Sequence, residues 1–320
     1  MASRESGRVK EMSKPSRRSG MRLGTREYKQ VAERMRAIQE QQRRLLMNMR
    51  RIRYKVVVLS SKGGVGKSFV TSNLAGALAV RARRVGVFDA DVAGPSIHKM
   101  MGLPTGYGMT ARMDGTVIPP EVPPGVKVAS VGLLLPRDEV PLIWRGAIKT
   151  SAIRELLAYI DWGELDYLLI DMPPGTGDEQ LTIAQLIPKI TGIVLVTIPS
   201  EVSKSVVKKA ASFAKKLNIP VIGIIENMAY FRCGDGKVHY IFGRGAAREI
   251  AEEYEIPFLG QIPVDERIRE ANDKGKMFFL EYPDTEASRA FLEIADKIID
   301  IVENGKAKVP GGDIDLEGGG

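Results

Sequence analysis

Three kinds of residue in this chain are placed to do phosphate chemistry together. They are two lysines in a glycine-rich loop, a serine behind the second lysine, and aspartates that close apolar runs. The loop reads Ser60-Ser61-Lys62-Gly63-Gly64-Val65-Gly66-Lys67-Ser68, directly after Val56-Val57-Val58-Leu59. A glycine-rich turn between a strand and a helix can aim its backbone N–H groups inward and cradle phosphate oxygens. With the ending Gly66-Lys67-Ser68, Lys67 reaches the β- and γ-phosphates and the Ser68 hydroxyl holds Mg²⁺. The usual first glycine of such a P-loop falls at Ser61, and Lys62 is an additional cation inside it. The pattern predicts a nucleoside triphosphate site lined by Gly63, Gly64, Val65, Gly66, Lys67, Ser68 and Phe69.

The carboxylates complete that chemistry. The apolar run Val85–Phe88 ends in Asp89-Ala90-Asp91, and Tyr167–Ile170 ends in Asp171. If both runs are parallel strands, their aspartates sit at the same edge of the sheet as the P-loop. Asp171 then holds Mg²⁺ directly or through water, with Asp89 a second candidate metal ligand, and Asp89 or Asp91 orients the attacking water. An aspartate at a strand end is often only a turn residue; the P-loop upstream favours the catalytic reading here.

Elements that could position these groups alternate along the chain. Apolar, β-branched runs near 55–60, 84–88, 126–133, 165–171, 191–198, 219–226 and 256–261 have the character of buried strands. Helical patterns near 67–80, 147–160, 178–189, 201–217, 243–254 and 285–303 lie between or after them. This predicts an α/β fold: a doubly wound, mostly parallel sheet of about seven strands with ligands at the carboxyl ends of the strands. The proline-rich stretch 102–125 reads as a surface excursion from that sheet.

The charge is unevenly spread. The chain carries +8 overall, but residues 1–55 hold 17 Lys/Arg against 5 Asp/Glu, while the remainder is slightly acidic. The expected organisation is a disordered basic arm at 1–24, a basic amphipathic helix at 25–52, a P-loop ATPase domain at 53–304 and a flexible tail at 305–320. Along the helix, Tyr28, Val31, Met35, Ile38, Gln42, Leu45 and Met49 recur with heptad-like spacing, which suits packing on the chain's own domain or pairing across a dimer. Its charge would also allow non-specific contact with polyanions. No run approaches the roughly 18–20 apolar residues of a membrane span, and the polar N-terminus lacks a secretory core, so a cytoplasmic protein without an integral membrane segment is expected. The single cysteine, Cys233, excludes an intramolecular disulfide.

Taken together the motifs resemble one family. Lys62-Gly63-Gly64-Val65-Gly66-Lys67-Ser68 is similar to the deviant Walker A box of the MinD/ParA/Mrp class of P-loop NTPases. Within that class, Asp89-Ala90-Asp91-Val92-Ala93-Gly94-Pro95-Ser96, Trp144-Arg145-Gly146, Asp161-Trp162-Gly163 and Asp171 through Asp178 resemble the Mrp/ApbC branch of iron–sulfur cluster carriers. Glu226-Asn227-Met228 and Ile241-Phe242-Gly243 do so too, and the likeness runs in order from about Lys55 to Lys276. The resemblance implies an ATP- and Mg²⁺-binding, ATP-hydrolysing carrier, acting as a homodimer, that hands clusters to apoprotein clients. It assigns Lys62 to the partner's nucleotide, Asp91 to the hydrolytic water and Asp171 to the start of a γ-phosphate-sensing loop. Asn227 would recognise the base. Arg145 lies in a matching motif without a clear role.

One departure bears on the cargo. Such carriers have a Cys-x-x-Cys after the Glu-Asn-Met segment, whereas here it reads Cys233-Gly234-Asp235-Gly236. A two-fold dimer would offer two thiolates, fewer than the four of ordinary clusters, leaving His239 or Asp235 as nearby substitutes. Cys233 is therefore expected either to hold a cluster shared across a dimer or to be a relic thiol. In the latter case the chain is a nucleotide-dependent dimerisation switch. A MinD- or ParA-like positioning role is less favoured, because no basic amphipathic helix ends the chain.

Overall fold

The structure is a computed structural model that describes residues 25–60, 62–136, 146–200 and 202–310, with side chains described from 28 onward and not at 202–206. The expected disordered arm at 1–24, part of the tail, and Arg145 lie outside the described residues. The chain divides into two units, residues 1–40 and 41–320.

In the larger unit, seven parallel strands make the centre of a nine-stranded sheet. They are β1 (Ile52–Leu59), β2 (Val85–Asp89), β3 (Val126–Ser130), β4 (Leu165–Asp171), β5 (Gly192–Thr197), β6 (Val221–Arg232) and β7 (Phe258–Val264). Their spatial order is β3-β2-β4-β1-β5-β6-β7, with β1 in the middle. Two-residue antiparallel strands flank it: Glu121–Val122 beside β3 and Val238–His239 beside β6. The expected seven-stranded, doubly wound α/β fold is thus observed.

Alternation along the central strands shows why both faces must be covered. Val57 and Leu59 of β1 point into one apolar core with Leu168 and Ile170 of β4. Val56 and Val58 enter the other with Tyr167 and Leu169. A parallel sheet buried on both faces needs this continuous apolar sequence. The P-loop helix Lys67–Val80 and the long helix Glu286–Glu303 supply residues to one core, and helices Gly146–Tyr159, Asp178–Leu186 and Ala246–Glu253 supply the other.

Register puts the chemistry on one line. Asp171 of β4 is level with Val58 of β1 on one side and Asp89 of β2 on the other, and Asp89 is level with Ser130 of β3. Two of the aspartates therefore reach the carboxyl edge beside the P-loop without any loop having to carry them. The stretch 102–125 forms the small antiparallel pair Thr110–Ala111/Val117–Ile118 and the edge strand on β3. Asp161-Trp162-Gly163 has a structural task. Trp162 is buried against the bare Cα of Gly86, where a Cβ would press on the indole. Asp161 accepts hydrogen bonds from Arg51 and Arg112 at 2.9 and 2.8 Å.

The basic helix spans Thr25–Arg50. In the smaller unit its seam is uncovered, with Tyr28, Val31, Met35 and Ile38 exposed by 68, 41, 62 and 58%. In the larger unit Leu45 and Met49 of the same seam are buried in the core. Packing within the larger unit thus accounts for Leu45 and Met49 of the heptad pattern. The buried Lys55 ammonium donates to the carbonyls of Met49 and Ile52, tying the end of the helix to β1.

Candidate functional site

A cleft of about 820 Å³ opens at the carboxyl end of β1. The P-loop from Lys62 to Phe69 lines it, together with Asp91, Pro174, Asn227 and Phe242. The loop can curl because Gly64 and Gly66 adopt φ of +82° and +79°, a left-handed conformation costly for other residues. Gly66 is required twice over, since a Cβ there would collide with the Asn227 amide.

At the floor of the cleft, Lys67 Nζ donates to Asp171 Oδ2 at 2.6 Å, and Ser68 Oγ donates to the same oxygen at 2.7 Å. Thr71 Oγ1 donates to Asp171 Oδ1 at 2.7 Å. Lys67, Asp171 and Thr71 are all buried. A carboxylate this deep is tolerable only when it is paired and hydrogen-bonded, and here both oxygens are engaged. The sequence reading missed Thr71. Its signal was the spacing: three residues after Ser68, it lies on the same face of the helix.

Asp89 has a different environment. Oδ1 accepts from the Asp91 backbone N–H at 3.1 Å, and Oδ2 accepts from the N–H groups of Ser96 and Ile97 and from Ser130 Oγ. It therefore fastens both ends of the loop 91–97. Burial, with the Asp171 carboxylate next in order, pushes its carboxyl up to about 7. Behind it, the buried His98 contacts Ser130 Oγ through Nδ1 at 3.4 Å and Thr105 Oγ1 through Nε2 at 3.1 Å. Neither Ser130 nor His98 was a sequence candidate.

Asp91 is half-buried at the cleft, and its Oδ1 accepts from the Gly94 N–H at 3.1 Å. The loop after Asp171 is also pinned. The Gly175 N–H donates to the Ser60 carbonyl at 2.8 Å, and Gln180 Nε2 donates to the Pro174 carbonyl at 2.7 Å. Lys62 lines the cleft and is exposed, in contrast to Lys67 at its floor. Phe69 turns its ring into the core, edge-on to Phe278 and Phe291 at centroid distances of 6.3 and 5.5 Å.

On the opposite side of β1 from the carboxylates, β6 carries Asn227. Its Nδ2 donates to the Val65 carbonyl at 2.8 Å, which leaves Oδ1 as the remaining side-chain acceptor. Met228 follows with φ of +55°, a left-handed kink within the strand. β6 then runs on to Cys233 at the start of a tight hairpin, where the Cys233 N–H donates to the Lys237 carbonyl and the Gly236 N–H to that of Cys233. Cys233 is partly exposed. Gly236 has φ of +84° with open space around it. Asp235 and His239 are exposed on this hairpin, and Asp235 pairs with Lys237 at 3.1 Å. Among the described residues, no group of three or more His, Cys, Asp or Glu side chains is arranged to hold a metal ion.

A family model described as the ParA, "NUBPL iron-transfer P-loop NTPase" matches residues 51–299. The chain belongs to this family. It is 55% identical to an iron–sulfur cluster carrier protein of Saccharolobus solfataricus over 81% of this chain and 87% of that protein. It is 50% identical to one of Methanocaldococcus jannaschii over 83% and 91%, and 41% identical to the mouse iron–sulfur cluster transfer protein NUBPL over 78% and 77%. Among solved structures, a nucleotide-binding protein of Archaeoglobus fulgidus in complex with ADP superimposes with a TM-score of 0.67 and 38% identity, covering 77% of this chain and 95% of that one. The MinD protein of Pyrococcus horikoshii shares the fold at a TM-score of 0.55 and 22% identity. Membership of an NTPase family agrees with a cleft lined by a P-loop lysine and serine that are held from behind by a buried aspartate. No helix among the described residues is long and apolar enough to cross a membrane.

Proposed function

We propose that this chain is an ATP-binding and ATP-hydrolysing carrier that accepts iron–sulfur clusters and passes them to apoprotein clients. One observation carries the reading. Strand β6 carries Asn227 against the P-loop and ends at Arg232, directly before Cys233, so a nucleotide cleft and a thiol lie on one continuous stretch of chain. Kinship with proteins named as iron–sulfur cluster carriers supports the cargo.

For nucleotide chemistry, Lys67 exchanges its hold on Asp171 for the β- and γ-phosphates. Ser68 and Asp171 would then hold a Mg²⁺ ion, whose chemistry is to neutralise charge on those oxygens. The hydroxyl and carboxylate donors at this position suit a hard cation. Asp91 orients the attacking water, while Asp89, spent on backbone N–H groups, keeps the 91–97 loop in place. The free Oδ1 of Asn227 would accept from the exocyclic amino group of adenine, which guanine replaces with another acceptor.

Lys62 and Lys67 sit too differently to share a task. Lys67 is buried with a carboxylate partner and Lys62 is exposed at the cleft. We therefore assign Lys62 to the nucleotide of a second copy across a two-fold dimer. With a non-hydrolysable ATP analogue, sedimentation should show dimers of the parent and monomers of Lys62→Ala. An unchanged monomer in both would sink the assignment.

A dimer would bring two Cys233 thiolates to one cluster, with the remaining iron valences completed by His239, Asp235, a small thiol or the client's cysteines. Oxygen and nitrogen ligands hold such clusters less firmly than thiolate, and a labile cluster suits a carrier. Anaerobic reconstitution followed by an iron and sulfide count tests this directly. Uptake should vanish in Cys233→Ser and tighten in Gly236→Cys, whose left-handed backbone costs about 1–2 kcal/mol but whose side chain has room. Equal, negligible uptake by the parent and Cys233→Ser would favour a nucleotide-dependent dimerisation switch without a cluster.

A further inference from the structure

We propose that Phe242 is the aromatic wall on which the nucleotide base stacks, and that it contributes base affinity separately from the P-loop. The proposal rests on the ATP-binding reading above. The cleft has two chemically distinct halves. Lys62, Lys67, Ser68, Asp91 and Ser96 make the polar half. Across β1, the ends of β6 and β7 and the turn between them make the other, where Met228, Phe242, Pro263, Val264 and Ile268 form an apolar strip bordered by polar residues of 265–273. A triphosphate anchored on Lys67 leaves its base to lie against this strip.

The turn that carries Phe242 is built to hold it there. The Gly243 N–H closes back on the Tyr240 carbonyl at 3.5 Å. Gly243 has φ of +112°, and a Cβ on it would strike the Pro199 carbonyl in the loop after β5. No other residue fits so close an approach. Tyr240 is fixed from two sides, by the Tyr230 ring at 6.3 Å and by the Arg244 guanidinium 4.8 Å from its centroid. With both ends of the turn fixed, Phe242 remains 43% exposed at the cleft. A phenylalanine kept for core packing would be buried, as Phe278 and Phe291 are. A held, half-open ring at the cleft is what a planar base can stack on, since stacking needs only a π-face.

The test separates base from phosphate. Calorimetric titrations of the full chain, its Phe242→Ala variant and its Phe242→Trp variant would use Mg-ATP and Mg-tripolyphosphate. Phe242→Ala should weaken Mg-ATP by about tenfold or more and leave tripolyphosphate within about twofold of the parent, and Phe242→Trp should restore Mg-ATP binding. Two results would overturn the proposal. One is parental affinity of Phe242→Ala for Mg-ATP; the other is an equal loss for both ligands, which would mean a displaced P-loop. Failure of the parent to bind either ligand would instead overturn the nucleotide reading itself.

Discussion

Replacing Lys67 by alanine should abolish tight Mg-ATP binding and also destabilise the protein without nucleotide. The first effect follows because Lys67 is the one P-loop cation placed at the floor of the cleft, where phosphate charge must be met. The second follows from Asp171, which is fully buried and whose ammonium partner lies 2.6 Å away. Removing one member of a buried pair leaves an uncompensated charge, at a cost of about 3–5 kcal/mol. Ser68 and Thr71 would still donate to Asp171, which places the expected loss toward the lower end of that range. The double variant Lys67→Ala/Asp171→Asn removes the stranded charge and should recover much of the stability without recovering binding. Urea denaturation and calorimetry read the two effects independently. Unaltered stability in Lys67→Ala would mean that the ion pair does not form in solution.

That pair also shows what sequence could and could not reveal. Lys67, Ser68 and Asp171 were legible because local patterns mark them: a glycine-rich turn after an apolar run, and an aspartate ending another. The seven strands were legible for the same reason, since strands buried on both faces must be continuously apolar. Contacts set by register across the sheet were not. Asp89 and Ser130 are 41 residues apart in the chain yet level on β2 and β3, so nothing local marks Ser130 as the partner of Asp89. The same blindness hid His98. Phe69 lies inside the P-loop motif, but its ring faces Phe278 and Phe291, contributed from more than two hundred residues away. The heptad seam was legible as a face only. Spacing gives a face to a helix but does not say what covers it; within the larger unit Leu45 and Met49 are buried in the core.

Asp91→Ala and Asp91→Asn should bind Mg-ATP nearly as well as the parent and hydrolyse it about a hundredfold more slowly or worse. Three aspartates stand near the P-loop, and their hydrogen bonds divide the work. Both oxygens of Asp171 are taken by Lys67, Ser68 and Thr71. Both oxygens of Asp89 are taken by the 91–97 backbone and Ser130. Asp91 lines the cleft, and one of its oxygens accepts from Gly94. The other is the only carboxylate oxygen of the three with no hydrogen bond from the described residues, so it is the acceptor available to a water. Asp91→Asn keeps an oxygen for the Gly94 N–H and so preserves the turn while removing the charge. A rate loss shared by both variants therefore reports on the water rather than on the loop. Parental turnover in either one would move the water-orienting role away from Asp91, and a parallel loss of Mg-ATP affinity would make Asp91 a binding residue instead.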